Sequence, residues 1–382
     1  MAQKTCPYVK ACGGCQQLLL PYEKQLSKKQ EVVAKLMAPY GKCAPIIGMD
    51  EPYHYRNKAI ATFAPAGKNK FILGIYAKHS HRVIPVKDCL LQDENLNQVL
   101  EAVAQAASEC HLPAYDEDRR SGLLRHVVLR SSRKTGEVLC TIVTAQPTFP
   151  GSNNFVKALR KRCPQVTSVV QNINPAKTST VLSPYSKTLY GSGYIMDELC
   201  GLQFSISSRS FYQVNPIQTE KLYHRAIELA QLKGTETVLD TYCGIGTIGL
   251  CAASSCKEVL GVEVNSDAVR DAAYNAKRNK IGNARFVEDD ATDFMTELAS
   301  QGEKVDVIFM DPPRSGSTPD FLKAAAKIAP KKIVYISCDP NTQARDLALI
   351  TKLGYKVTAI QPVDLFPHTE HCENICLLER GK

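Results

Sequence analysis

The sequence lacks tryptophan and lacks any long hydrophobic run. Its 382 residues contain no stretch of about 18 apolar residues, so no segment is predicted to span a membrane. Residues 1–10 are polar and contain no apolar signal core. These absences favour a cytoplasmic protein. Without Trp, stacking on a nucleic-acid base would depend on Tyr, Phe, His or Arg.

Internal repeats and long linkers are also absent, and the length favours two or three compact domains. The net charge of +9 is unevenly distributed. Residues 1–205 carry 26 Lys and Arg against 15 Asp and Glu, whereas residues 206–382 carry 21 against 23. This asymmetry predicts a first half that binds a polyanion and a second half that performs chemistry. A basic solvated surface without any partner would explain the charge equally well.

Hydrophobic patterning divides the chain into three segments. Residues 1–50 are a Cys-rich loop followed by a helix, and residues 51–205 mix strands and helices in an α+β central domain. In residues 206–382, apolar strands alternate with helices, and two consecutive strands end the chain. Such alternation predicts a doubly wound parallel α/β sheet. The closing hairpin is typical of Rossmann-like methyltransferases that use S-adenosylmethionine (SAM).

The first strand of that sheet runs into a glycine-rich loop, residues 244–249 (GIGTIG). Glycines there let the backbone approach a ligand, although the pattern alone is also a dinucleotide fingerprint, and a tight turn without a ligand is a minority alternative. The next strand ends at Glu263, whose carboxylate suits the ribose hydroxyls of either cofactor. The fourth strand ends in Asp311-Pro312-Pro313-Arg314, which favours SAM because an oxidoreductase does not need it. Arg314 stands where an aromatic residue would indicate methylation of an amino group.

The fifth strand ends in Ser337-Cys338-Asp339-Pro340, which places a cysteine at the same sheet edge. Most cysteines are simply buried, but a strand end at the ligand edge favours catalysis. A thiol is useful for methylating carbon 5 of uracil, since thiolate addition at carbon 6 makes carbon 5 nucleophilic. A base must then remove the carbon-5 proton. Glu373, His368 and His371 are candidates from the chemistry alone.

Fifteen cysteines in a cytosolic chain indicate metal binding, catalysis or burial rather than disulfides. Cys6, Cys12 and Cys15 form a Cys-x5-Cys-Gly-Gly-Cys pattern, and Cys89 supplies a fourth thiol. Four thiolates suit an iron–sulfur cluster or tetrahedral zinc, and spacing does not choose between them. The Cys-x3-Cys-x2-Cys pattern of radical SAM enzymes is absent.

The central domain also carries basic residues that are candidates for RNA contacts. They are Arg56, Lys58, His79, His81, Arg82, Arg119, Arg120, Arg125, Arg130, Arg133 and Lys134.

Together these motifs resemble the RNA 5-methyluridine methyltransferase family over nearly the whole chain. The resemblance lies in residues 211–216 (FYQVNP), 240–244 (DTYCG), 337–340 (SCDP) and 367–373 (PHTEHCE). It implies that Cys338 is the nucleophile and Glu373 the base. The SAM-binding residues it implies, together with the glycine loop, are Gln213, Tyr242, Gly244, Gly246, Glu263 and Asp311.

The resemblance further implies a [4Fe–4S] cluster on Cys6, Cys12, Cys15 and Cys89, as on the family branch that modifies 23S ribosomal RNA. The target uridine is expected to be flipped out of its stack, because it must reach Cys338. The TRAM-type RNA-binding barrel of some members is expected to be missing. Zinc remains the alternative metal, and a transfer-RNA uracil-5 methyltransferase the alternative enzyme. An NAD(P)-dependent oxidoreductase would leave the Cys338 and Glu373 motifs unexplained, and a non-catalytic RNA-binding protein is the third hypothesis.

Overall fold

A computed structural model of the chain describes residues 4–67, 70–78 and 80–381. The chain divides into two compact units. The first consists of Met1–Leu19, Pro52–Glu198 and Ser205–Arg209, and the second of Leu20–Glu51, Leu199–Phe204 and Ser210–Lys382. The segment 1–50 is therefore shared, because its cysteine-rich part belongs to the first unit and its helix to the second.

The α-helices in chain order are α1 (Val9–Cys12), α2 (Tyr22–Met37), α3 (Glu94–Glu109), α4 (Ser152–Arg162), α5 (Pro216–Ala230), α6 (Thr247–Ala252), α7 (Ser266–Arg278), α8 (Ala291–Gln301), α9 (Pro319–Ile328) and α10 (Pro340–Ile350). Several begin at a polar side chain that accepts hydrogen bonds from amides of the first turn, as Asp93 does for α3 and Asn265 for α7. Among the described residues, no helix combines the length and apolar composition that a membrane span requires.

The β-strands in chain order are β1 (Lys58–Pro65), β2 (Phe71–Tyr76), β3 (Val83–Ile84), β4 (Leu124–Ser131), β5 (Val138–Thr144), β6 (Val166–Ile173), β7 (Ser186–Tyr190), β8 (Tyr194–Leu199), β9 (Leu202–Ser207), β10 (Thr237–Thr241), β11 (Glu258–Glu263), β12 (Ala284–Glu288), β13 (Val307–Met310), β14 (Lys332–Ser337), β15 (Tyr355–Val363) and β16 (Glu373–Arg380). β8 and β9 pair as a two-stranded sheet.

The first unit is built on a mixed sheet with the order β3-β2-β1-β4-β5-β6-β7. Adjacent strands of this sheet are antiparallel except β5 and β6, which are parallel and are connected by α4. β5 is rich in β-branched residues and buried along its whole length. Leu96 and Val103 of α3 and Phe155 of α4 belong to the same hydrophobic core as this sheet. This is the mixed α+β domain that the sequence predicts.

The second unit contains a sheet with the order β12-β11-β10-β13-β14-β16-β15. Pairing is parallel from β12 to β14, whereas β16 is antiparallel to both β14 and β15. The predicted doubly wound sheet and its closing hairpin are thus confirmed. The chain order reverses on either side of β10, and ligands of such sheets bind at the carboxyl edge beside that reversal.

Helix α2 also belongs to this second unit. Val33 and Met37, in its second half, are fully buried in the core formed by the parallel sheet and its helices. Its first half is polar, and Gln25 and Lys29 there are buried as well. Buried polar side chains require hydrogen-bond partners, and these partners lie next to the candidate site.

Candidate active site

The loop after β10 is held in a conformation that favours glycine. Tyr242, Gly244 and Gly246 all have positive φ values, of 63°, 54° and 80°. The Gly244 amide donates to one carboxylate oxygen of Glu263 at 3.0 Å, and the Asn265 amide donates to the other at 2.9 Å. The carboxylate at the end of β11 is therefore fixed beside the loop, with lone pairs left for further donors.

The third glycine of the pattern has a packing role. The Gly249 amide donates to the buried carboxylate of Asp240 at 2.8 Å, and a Cβ at position 249 would lie 2.8 Å from that same oxygen. Glycine is required there because α6 packs directly against β10. Gly246 faces the ring of Phe286, which lies 3.0 Å from where its Cβ would be.

A cavity of about 650 Å³ lies at this edge of the sheet, a size suited to a cofactor. Of the residues predicted from the sequence, it is lined by Gln213, Tyr242, Gly244, Glu263, Asp311, Cys338 and Glu373. Gly246 is the predicted cofactor residue that is not part of this lining. The fold thus brings one glycine loop, two carboxyl groups at strand ends, the cysteine and the proposed base to one cavity.

The lining also contains residues to which the sequence reasoning assigned no contact. Phe211 and Val264 are apolar yet 67% and 68% exposed, and Asp289 and Asp290 follow the end of β12. Val264 comes directly after Glu263, and the aspartates occupy the strand end next to it in the sheet. Position at a carboxyl strand end was the signal that could have identified Val264, Asp289 and Asp290.

Cys338 follows β14 and is half-buried in the cavity. Asp339 caps α10 by accepting the Asn341 amide at 3.0 Å, which fixes the turn that carries the thiol. Burial raises the pKa of the Cys338 thiol to about 11, and the carboxyl groups of Glu373 and Asp311 add to the shift. The guanidinium of Arg314 lowers this pKa and so opposes them.

Glu373 begins β16 and is only 3% exposed. Burial, followed by the charge of Asp311, raises the pKa of Glu373 well above its usual range, and Arg314 opposes the shift. Burial also raises the pKa of Asp311 to about 7. A carboxyl group with a raised pKa is a better proton acceptor once it is ionised, as a general base requires.

The two candidate histidines have different surroundings. His371 lines the cavity, and Arg314 donates to its Nδ1 at 2.7 Å. His368 is 1% exposed, does not line the cavity, and is hydrogen-bonded to Gln25. Of the predicted bases, Glu373 and His371 therefore reach the cavity, and His368 does not.

The thiol of Cys338 is expected to react faster as the pH rises. Its raised pKa keeps the thiol protonated at neutral pH, and the thiolate is the form that reacts. Alkylation of Cys338 by iodoacetamide should therefore accelerate roughly tenfold per pH unit between about pH 7 and about pH 10. Peptide mass spectrometry resolves this site from the other cysteines.

Arg314→Gln serves as the comparison for this measurement, because it removes the cation that lowers the pKa of Cys338. The variant should react more slowly than the parent at each pH. An alkylation rate that levels off near neutral pH would contradict the raised pKa of Cys338. Equal rates in the parent and in Arg314→Gln would contradict the effect of Arg314 on that pKa.

The four cysteines of the predicted metal site lie in the first unit. All are free and partly buried. Burial raises the pKa of the Cys15 thiol to about 12, and the charges of Cys89, Cys12 and Cys6 contribute, so those three thiols lie within electrostatic range of Cys15. Within the described residues, however, no group of three or more Cys, His, Asp or Glu side chains has an arrangement ready to hold a metal ion.

Two of the basic residues predicted to contact RNA are buried. Arg125 is 5% exposed and donates to the carbonyl oxygens of Asn174 and Ala176 at 2.7 and 2.8 Å, and Arg130 is 4% exposed. Arg125 therefore holds the loop after β6, and the interpretation of it as a surface contact is wrong. Arg119, Arg120, Arg133 and Lys134 are exposed, whereas His79 lies outside the described residues.

Comparison with protein families gives a match over residues 194–381 to the tRNA (uracil-5-)-methyltransferase model. An uncharacterized RNA methyltransferase of Halalkalibacterium halodurans is 42% identical over 381 residues, covering 98% of this chain and 82% of the relative. A similarly described protein of Caldanaerobacter subterraneus is 41% identical, covering 98% of this chain and 84% of its own.

Among solved structures, the chain is similar to the tRNA (uracil-54, C5)-methyltransferase of Pyrococcus abyssi in complex with S-adenosyl-L-homocysteine. The TM-score is 0.81 at 24% identity, and the match covers 96% of this chain and 85% of the other. At that identity, the similarity concerns the fold.

Proposed function

The chain belongs to the RNA (uracil-5-)-methyltransferase family, and from its site we propose that it methylates carbon 5 of a uridine in RNA through a covalent adduct on Cys338. The observation that carries this proposal is the shared cavity. Cys338 and Glu373 line it together with the glycine loop and Glu263, so a nucleophile, a base and a cofactor loop share one space. An NAD(P)-dependent oxidoreductase would not need the nucleophile Cys338 or the base Glu373.

SAM is the proposed methyl donor, and the cavity residues suit it. Glu263 lies where its carboxylate would accept hydrogen bonds from ribose hydroxyls, and the exposed apolar side chains of Phe211 and Val264 would cover a flat ring. Gln213, Tyr242 and Asp311 line the same space and complete the proposed SAM site. When bound, SAM supplies an electrophilic methyl group on a positively charged sulfur.

The proposed reaction begins when the Cys338 thiol loses its proton to solvent, and the thiolate adds to carbon 6 of uracil. The electron pair of the carbon 5–carbon 6 double bond moves toward oxygen 4 and makes carbon 5 nucleophilic. Carbon 5 forms its bond to the methyl group, whose bond to the donor sulfur breaks. Glu373 then takes the carbon-5 proton, the double bond forms again, and the Cys338 thiolate leaves. Arg314 assists by favouring the charged form of the thiol.

Glu373 is preferred over His371 as the base. Glu373 is buried in the cavity wall with a raised pKa, whereas the ring of His371 already accepts a hydrogen bond from Arg314. Burial, followed by the charge of Arg314, lowers the pKa of His371, which makes it the weaker proton acceptor.

Exposed cations of the first unit support RNA as the substrate. They include Arg119, Arg120, Arg133 and Lys134. Residues 1–205, which contain them, carry 26 Lys and Arg against 15 Asp and Glu. RNA phosphates would form favourable contacts with exposed cations of this kind.

Ribosomal RNA is the proposed target, with a uridine flipped out of its stack to reach Cys338. Transfer RNA is the alternative, because it is named both for the matching family model and for the Pyrococcus abyssi enzyme. The test supplies labelled SAM to ribosomal and transfer RNA from cells lacking this protein, and then maps 5-methyluridine. Transfer to a uridine carbon 5 in ribosomal RNA supports the proposal. Labelling of transfer RNA alone would favour the alternative, and no labelling of either would overturn the function.

A [4Fe–4S] cluster on Cys6, Cys12, Cys15 and Cys89 is the proposed resident metal group. Four free thiols are a suitable donor set, and Gly13, with a left-handed φ of 71°, allows a tight turn between Cys12 and Cys15. A bound cluster would stabilise the N-terminal loop of the first unit. It would perform no chemistry on the uridine.

Metal analysis of the protein purified without oxygen is expected to give about four iron and four sulfide per chain, with absorbance near 400 nm. Cys89→Ser should lose this iron, whereas Cys43→Ser, at a cysteine of the second unit, should retain it. A content of one zinc per chain without iron would show that the site binds zinc instead of the proposed cluster. The absence of both metals would contradict a metal site.

A further inference from the structure

Resting on the proposed role of Glu373, we propose that helix α2 positions the loop that carries this base, through Lys29 and Gln25. The loop comprises residues 364–372 and connects β15 to β16. Its side chains Phe366 and His371, together with Glu373, line the cavity. Lys29 and Gln25 do not line the cavity, so they are positioning residues that act on proton removal through the loop.

Lys29 binds the start of the loop. Its side chain is 1% exposed, and its ammonium donates to the Asp364 carboxylate at 2.6 Å and to the carbonyl oxygen of Phe366 at 3.0 Å. The second carboxylate oxygen of Asp364 accepts the Tyr22 hydroxyl at 2.8 Å. One buried ion pair therefore fixes both the residue that leaves β15 and the backbone of a residue in the cavity wall.

Gln25 binds the middle of the loop. Its side-chain oxygen accepts the backbone N–H of His368 at 3.0 Å, and its amide group lies 3.1 Å from Nδ1 of the same residue. His368 has a φ of 67°, which a residue other than glycine rarely adopts. The turn five residues before Glu373 is therefore strained, and Gln25 helps to hold it.

Stability alone does not explain these polar contacts. Val33 and Met37 already anchor α2 in the core by apolar packing. A buried ion pair is commonly no more stable than a packed apolar pair. The Lys29 ammonium does, however, join α2 to two positions of the loop, Asp364 and Phe366. The polar half of α2 therefore contributes loop geometry, and that geometry matters most for the step in which Glu373 must reach the carbon-5 proton.

The test uses Lys29→Met/Asp364→Asn, which removes both charges and leaves neither buried alone, and Gln25→Met. Lys28→Met, on the exposed face of α2 one position earlier, is the matched control. The substrate is total RNA labelled with [5-³H]uridine from cells lacking the protein. Methyl incorporation and tritium release are followed separately in a single turnover, and denaturing gels detect RNA that is covalently bound to protein.

We expect methyl incorporation to stay within about threefold of the control, while tritium release slows at least roughly tenfold and methylated adduct accumulates. Release at the control rate in both variants, or both steps slowing together with a lower melting temperature, would overturn the positioning role. The variant Glu373→Gln distinguishes a failure of the positioning role from a failure of the proposed function. If that variant accumulates adduct and the α2 variants do not, only the inference fails; if Glu373→Gln releases RNA freely, the assignment of the base fails.

Discussion

Replacing Cys338 by alanine is expected to reduce methyl transfer to RNA by at least about 10³-fold, a barrier increase of about 4 kcal/mol. Carbon 5 of uracil is a weak nucleophile until a thiolate has added to carbon 6. No other cysteine lines the cavity within the described residues, so none substitutes for Cys338. The measurement is transfer of tritium from methyl-labelled SAM to RNA under single-turnover conditions.

Trapping with 5-fluorouridine RNA gives the positive form of the same test. Fluorine at carbon 5 blocks the final proton removal, so the parent protein should remain covalently attached to the RNA. Cys338→Ala should form no such complex, whereas Cys43→Ala, which changes a cysteine outside the cavity, should behave as the parent does. Full-rate methylation by Cys338→Ala would remove the cysteine from the mechanism.

Glu373→Gln is expected to methylate RNA once and then remain attached to it. The amide is close in shape to the carboxyl group but does not accept the carbon-5 proton, so the double bond does not re-form and the thiolate does not leave. Multiple turnover should fall by at least roughly 10²-fold, the usual contribution of a general base. Mass spectrometry of the complex should find the methyl group already transferred.

Glu370→Gln is the matched control, because Glu370 is exposed in the same loop three positions earlier. That variant should turn over normally. If Glu373→Gln releases methylated RNA at the parent rate, then His371, the other predicted base that lines the cavity, becomes the candidate and His371→Ala the next variant.

The sequence predicted the doubly wound sheet and the meeting of its strand ends, because both follow from local patterns. Strands and helices alternate, and carboxyl ends of parallel strands share one edge, so Glu263, Asp311 and Cys338 had to lie near each other. Gly246 illustrates the limit of such reasoning. Whether a loop glycine faces a ligand or a neighbouring ring depends on side chains such as Phe286, whose place only the fold determines.

Long-range partners were the part that the sequence did not reveal. Arg125 looked like a surface cation because charge is usually solvated, and its carbonyl partners lie about fifty positions later. The helix at residues 22–37 was grouped with the cysteines that precede it, whereas it packs in the second unit. Its buried Lys29 and Gln25 have partners more than 330 positions away, and no local pattern encodes such a pairing.

The distance along the chain between Lys29 and Asp364 has a consequence for synthesis. The two residues are 335 positions apart, and most of the first unit is inserted between them. At about 5 to 20 residues per second, α2 would wait roughly 20 to 60 seconds for its partners to be translated. During that time Val33 and Met37 lack their native core, which makes the nascent chain a candidate for chaperone binding. The active site would be assembled only after the last strand leaves the ribosome.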